Sequence, residues 1–166
     1  APLVARMDAD DMSARVRLER QVKVFEMHPA VGLVATGSRK VDRQGHTLGA
    51  GAPPSTHAGI RLRLLFGNCL SHPSVMFRKD AVVSVGGYRS NTIGEDMEIV
   101  TRLHRLYRQT RRRYRIVFQP DPVCWTEVPE SLAILRNQRN RWQRGTMQVL
   151  GYHLNMIGNP RFGLVG

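Results

Sequence analysis

Four short apolar segments, "PLVA" (2–5), "VGLVATG" (31–37), "PSVMF" (73–77) and "YRIVF" (114–118), alternate with amphipathic stretches along this chain. No apolar run reaches the roughly 18 residues that a membrane-spanning helix needs. Strands this short cannot bury their faces alone and must be covered by helices, so the expected class is a layered α/β or α+β domain. The chain of 166 residues fits one domain, 1–166. It is long enough to bury a real core.

Helical periodicity fills the gaps between those segments. Ser13 to His28 is expected as a helix that buries Leu18, Val22 and Phe25 and is closed by Pro29. A turn is expected at Gln44-Gly45, a loop from Gly49 to Gly59 and a short helix across Ile60 to Phe66. Another short helix begins near Lys79 and ends at Gly86-Gly87-Tyr88. Two longer helices follow, from Gly94 to Tyr107 and from Glu130 to near His153. The apolar stripe of the first is Ile99, Val100, Leu103, Leu106 and Tyr107. The segment between them reads as a strand and then an irregular stretch broken by Pro120, Pro122 and Pro129.

The formal charge is +12, carried almost wholly by arginine, since Lys23, Lys40 and Lys79 are the only lysines. Such a surface favours anionic partners without choosing among nucleic acid, acidic lipid and phosphate-bearing substrates. Cys69 and Cys124 form no CxxC and no metal-like spacing, and a reducing compartment is the simplest expectation. No signal peptide is visible.

Against this basic background, "MDADD" (7–11) concentrates three carboxylates directly after the first strand. Asp8 and Asp10 at a strand tip suit Mg²⁺ or Mn²⁺, which use one or two protein carboxylates and complete their shell with water and phosphate. The other reading is a turn in which Asp10 or Asp11 caps the following helix. In "NTIGEDMEIV" (91–100), Thr92 and Glu95 have capping-box spacing. Asp96 falls on the packed face with Val100, Leu103 and Tyr107, either satisfied by backbone donors or lining a cleft as a base. In "QRNRW" (138–142), Gln138, Arg141 and Trp142 share one helix surface. Gln138 and Arg141 there would suit a diphosphate or a sugar hydroxyl, and Trp142 a sugar face or the core. His72, before Pro73, reads as a turn histidine, and "RQTRRRYR" (108–115) as a solvated helix end.

The order of these motifs, "DAD" after a strand, "GED" opening a helix and "QRNRW" in a later helix, closely resembles the family-2 inverting glycosyltransferases of GT-A fold. The stretch from "FRKDAV" through "QRNRWQRG" is similar to membrane-associated members that make cellulose, hyaluronan or poly-N-acetylglucosamine, whereas "MDADD" through "VATG" and "LSHPSVMFRKDAV" are more like single-addition members. The resemblance covers nearly the whole chain and implies roles by position. Asp8 and Asp10 would form the DXD motif that binds the metal and the donor diphosphate. Asp96 would be the general base, with Glu95 its motif neighbour, and Gln138, Arg141 and Trp142 the QxxRW motif at the diphosphate and the acceptor end.

The implied activity is hexosyl transfer from a UDP-sugar to a saccharide or lipid-linked saccharide acceptor, dependent on Mg²⁺ or Mn²⁺, in polysaccharide synthesis at the cytoplasmic face of a membrane. Nucleic acid is not expected as a partner. The chain opens without an initiator methionine, and neither the family's nucleotide-binding first half nor its transmembrane helices have a counterpart here. The resemblance therefore implies an incomplete GT-A domain, α/β with a mixed sheet flanked by helices, that holds the metal motif and the acceptor side and in which 151–166 begins a membrane-interfacial segment. An exposed sheet edge would make such a piece unstable alone. The alternatives are a non-catalytic basic module for nucleic acid or acidic lipid, and a degenerate transferase fragment.

Overall fold

The computed structural model describes residues 1–42, 44–51, 54–129 and 131–163, with the backbone alone at Pro122 and Val123. Six strands form one sheet: β1 (Leu3–Ala5), β2 (Met12–Ser13), β3 (Val31–Val41), β4 (Thr47–Gly51), β5 (Met76–Arg78) and β6 (Arg115–Glu127). The five α-helices are α1 (Arg17–Met27), α2 (His57–Leu64), α3 (Lys79–Ser84), α4 (Glu95–Gln109) and α5 (Leu132–Tyr152). Across the sheet the order is β1-β5-β3-β6-β2, with β4 paired to the second half of β3. β3 and β6 run parallel, β5 is antiparallel to β3, and β1 is antiparallel to β5, so β1, β3 and β6 point the same way.

Alternation along these strands loads both faces. Leu33 and Ala35 of β3, Phe77 of β5, and Ile116 and Phe118 of β6 pack with Ile60, Ala81, Ile99, Val100 and Leu103 from α2, α3 and α4. Val34 and Met76 point the other way, toward Phe25 of α1. A sheet covered on both sides explains why the strand segments read as unbroken apolar runs.

Several expectations change at this level. α1 begins at Arg17 rather than Ser13, and Leu18 on its expected inner face is 55% exposed. The buried stripe is instead Arg17, Gln21 and Phe25. Arg17 donates to Gln21 Oε1 at 3.0 Å and to the Arg6 carbonyl at 2.6 Å, and Gln21 donates to the Ser74 carbonyl at 2.8 Å. These polar side chains are buried because they satisfy strand-end carbonyls. β1 is not a buried strand but an edge, with Val4 and Ala5 exposed. The Gly49–Gly59 segment is strand at its start and helix at its end, and Ala52 and Pro53 lie outside the described residues, as do Glu130 and Leu164–Gly166.

β6 runs on through the stretch expected to be irregular. Its pairing with β3 slips between Thr36↔Gln119 and Gly37↔Pro122, and again before Ser38↔Cys124. Prolines lack the N–H that a ladder needs, and a bulge absorbs them.

Two glycines bring the start of α4 close against α5. A Cβ at Gly145 would come within 3.0 Å of the Gly94 nitrogen, and one at Gly94 within 3.1 Å of the Gly145 backbone. Gln148, one turn on, accepts from the Ile93 N–H at 3.0 Å and from the Thr92 hydroxyl at 3.2 Å. Gly145→Val forces these backbones apart, and the expected cost is about 1–3 kcal/mol. Urea titration measures it, and a loss within error of zero would mean that the helices separate freely.

Candidate functional site

The "MDADD" loop leaves the C-terminal end of β1 at one sheet edge and is caught again by β2, which pairs with β6 at Met12↔Trp125 and Ser13↔Cys124 on the far edge. It therefore crosses the carboxyl ends of the co-directional strands, where open α/β sheets characteristically bind ligands. Arg17 anchors the crossing by its bond to the Arg6 carbonyl, two residues before Asp8.

The three carboxylates of this loop diverge. Asp8 is bridged by Arg6 at 2.7 Å. Asp11 is buried, and burial raises its carboxyl above the usual range, opposed by a hydrogen bond from Thr126. Asp10 is exposed and makes no hydrogen bond or ion pair with a described residue. The capping alternative does not hold, because the residue before α1 is Val16 and no side chain caps that helix.

Asp96 stands in the first turn of α4, half-buried, with Glu95 beside it. Its Oδ1 accepts from the Met97 N–H at 2.7 Å and its Oδ2 from the Asn68 amide at 2.5 Å. The expected capping box is not formed: Gly94 is the cap residue, no side chain caps α4, and the Thr92 hydroxyl is spent on Gln148. Glu95 thus has no capping partner in Thr92.

His72 and Tyr88 lie between the two acidic elements. Their rings meet edge to face at 5.6 Å. Asp8, Glu95, Asp96 and Arg6 all act electrostatically on both. Burial pushes the Tyr88 hydroxyl up to about 12 and lowers His72, with Asp96 the largest opposing influence on the histidine. His72 Nε2 is buried and meets no hydrogen-bond partner. It occupies a turn, as expected from sequence, but one that faces the acidic cluster. The fold thus brings Asp8 and the adjacent pair Glu95 and Asp96, distant from it in sequence, within electrostatic reach of one histidine–tyrosine pair.

Tyr88 reaches this point because Gly86 (φ 79°) and Gly87 (φ 75°) adopt left-handed backbone that ends α3. Arg102 of α4 then holds the turn through the Val85 and Gly87 carbonyls. The same guanidinium is paired at 2.7 Å with Glu98, which is fully buried and also faces Arg89 at 3.2 Å and His153 at 3.6 Å.

Gln138, Arg141 and Trp142 sit elsewhere, on the N-terminal half of α5. That half is solvated: Leu132 is 85% and Trp142 49% exposed, so the core reading of Trp142 is overturned. Gln138 is half-buried and Arg141 exposed. Among the described residues, no hydrogen bond, ion pair or ring contact joins these three to Asp8, Asp10 or Asp96, and Trp142 carries the Arg139 guanidinium at 5.2 Å. Their link to the Asp96 turn is through the backbone contact of Gly145 with Gly94.

Sequence reasoning did not single out Asn68 or Tyr88. Neither carries a local signal, since each becomes part of the cluster only through contacts between distant segments.

Among the described residues no group of three or more His, Cys, Asp or Glu side chains converges on a metal position, and no helix is long and apolar enough to cross a membrane. The loop nonetheless offers two accessible hard carboxylates, Asp8 and Asp10. That set fits Mg²⁺ or Mn²⁺, which take most of their ligands from water and phosphate.

The mixed sheet flanked by helices, with an acidic loop across its carboxyl ends, is part of an α/β domain of the GT-A fold. The match of residues 3–164 to the family model described as "Glycosyl transferase family group 2" places the chain in that family. It is 32% identical over 151 residues to the poly-beta-1,6-N-acetyl-D-glucosamine synthase of Staphylococcus aureus, covering 87% of this chain and 35% of that protein. To the O-antigen biosynthesis glycosyltransferase WbnJ of Escherichia coli it is 34% identical over 101 residues, covering 61% of this chain and 39% of that one. The chain therefore spans little more than a third of these relatives. Its fold matches a mannosyltransferase from Pyrobaculum calidifontis solved with GDP-Man and Mn²⁺, with a TM-score of 0.62 and 21% identity over 97% of this chain and 42% of that one.

Proposed function

We propose that the full-length protein is an inverting hexosyltransferase that moves a sugar from a UDP-sugar to a saccharide or lipid-linked saccharide acceptor in polysaccharide synthesis. The observation that carries this reading is that Asp8, in the loop after β1, and Asp96, in the first turn of α4, both act electrostatically on the same His72–Tyr88 pair. A donor-side carboxylate and an acceptor-side carboxylate on one site are what a direct displacement requires.

In that reaction the acceptor oxygen bonds to the anomeric carbon as the bond from that carbon to the diphosphate breaks. The acceptor proton passes to Asp96, a general base held by Asn68 and Met97. Asp8 and Asp10 would hold a divalent cation, which when bound offsets the negative charge gathering on the departing UDP. Arg141 contributes positive charge to the diphosphate, while Gln138 and Trp142 contact the acceptor end. Glu95 shapes the entry to α4 beside the base. The family match supports this reading, as do the poly-N-acetylglucosamine synthase relative and the Mn²⁺ and nucleotide sugar of the mannosyltransferase. The many arginines suit a cytoplasmic membrane face rich in anionic lipid.

Isothermal titration of UDP into the full-length protein, with and without Mn²⁺, tests the donor half of this proposal. Binding is expected to need the metal and to fall at least about tenfold in Asp10→Ala, the loss of one charged ligand. GDP titrated in parallel should bind more weakly. Absence of any nucleotide binding would refute the transferase reading.

A further inference from the structure

We propose that Asn68 is the positioning residue for the candidate base: its side-chain amide, locked in one orientation by the Leu70 N–H, holds the Asp96 carboxylate in register with the acceptor hydroxyl. The inference rests on the reading of Asp96 as the base.

The geometry fixes which end of the amide faces where. Leu70 N–H donates to Asn68 at 3.0 Å. A backbone N–H can only donate, so the atom it meets is the amide oxygen, and the NH₂ group is the end turned toward Asp96. That group donates to Asp96 Oδ2 at 2.5 Å, while Oδ1 accepts from Met97 N–H at 2.7 Å. Each carboxylate oxygen is thus held by one N–H, and the two donors come from different segments of the chain. Rotation of the carboxylate about its own bond would break both.

The restraint leaves the carboxylate usable. A carboxylate has about four acceptor positions, and donors among the described residues take two, one on each oxygen, leaving each oxygen a position for a hydroxyl. Asn68 is neutral, so it orients Asp96 without adding a cation to hold the negative charge in place. Asp96 is half-buried, and its charge acts on His72. The Asn68 turn is itself braced by the fold. It follows Gly67 (φ 140°), whose Cβ position lies 3.7 Å from the Thr146 hydroxyl of α5, and it runs into the buried Leu70.

The test uses the full-length protein with saturating donor and separates two jobs of one side chain. Asn68→Asp keeps the shape and an oxygen for the Leu70 N–H but replaces the N–H donor with a carboxylate that repels Asp96. The expected result is a fall in kcat of about 10- to 100-fold, the scale of a misplaced reacting group. The donor KM and Mn²⁺-dependent UDP binding should stay within about twofold of wild type. Asn68→Ala should cost no further activity when added to Asp96→Asn, because a residue that acts through the base has nothing left to act on.

The proposal fails if Asn68→Asp keeps kcat within about twofold while Asp96→Asn is inactive, since Asn68 would then only shape the turn. It also fails if UDP binding falls in step with kcat, or if the Asn68→Ala loss persists in the Asp96→Asn background. Near-normal activity in Asp96→Asn is a different failure: it removes the base itself, and this inference goes with it.

Discussion

Asp96→Asn in the full-length protein is expected to lower kcat about 10²- to 10⁴-fold, the usual contribution of a positioned general base. The donor KM and metal-dependent UDP binding are expected to stay near wild type. Asparagine keeps the shape and can still accept from the Met97 N–H, but it has no lone pair basic enough to take a proton from a sugar hydroxyl. The separation between kcat and binding is the informative part. In the proposed reaction Asp96, in α4, acts on the acceptor side, whereas Asp8 and Asp10, in the loop between β1 and β2, act on the donor. Activity within a few-fold of wild type would exclude Asp96 as the base. Parallel loss of UDP binding would instead assign it to the donor pocket.

Glu98→Ala is expected to have the largest effect on folding, a loss of about 3–5 kcal/mol in urea or thermal unfolding. Glu98 is 0% exposed and faces Arg102, Arg89 and His153. Removing it leaves buried positive charge and polar nitrogen without a counter-charge, which costs more than the original pairing contributed. Arg102, no longer held by Glu98, would also lose its fixed position against the Val85 and Gly87 carbonyls. The damage should therefore extend to the Gly86–Tyr88 turn and reduce turnover as well. A loss below about 1 kcal/mol would mean that water replaces the carboxylate.

What was legible in the sequence was the part governed by local periodicity. α4 and α5, the strand segments of β3, β5 and β6, and the glycine stop after α3 follow from spacing alone. Contacts made at long range were not legible. The inner face of α1 uses Arg17 and Gln21 because strand-end carbonyls of Arg6 and Ser74 happen to meet it, so a search for apolar residues chose Leu18 instead. β6 continues past Pro120 and Pro122 because β3 tolerates a bulge opposite them, which no local rule reveals.

The Thr92–Glu95 capping box failed for a related reason, since Gln148, far away in sequence, claims the threonine. Of the candidate site, the acidic residues could be named from motif order. The neighbours they meet, His72, Tyr88 and Asn68, required the fold. The motif in α5 was visible as a helix surface, but its exposure was not, because half-apolar spacing looks the same whether or not a partner covers it.

The contact of Gly94 with Gly145 bears on how this chain can change without losing its arrangement. Gly94 stands two residues before Asp96, and Gly145 lies one helical turn beyond Trp142 and Arg141. Both motifs are thus dimensioned from a single fastening point. Each residue added to a helix turns everything beyond it by about 100°. One residue inserted between Trp142 and Gly145 would swing Gln138, Arg141 and Trp142 to another side of α5 while leaving every buried contact of the sheet intact. Point substitutions can be absorbed around that fastening, but changes of length inside those few residues cannot.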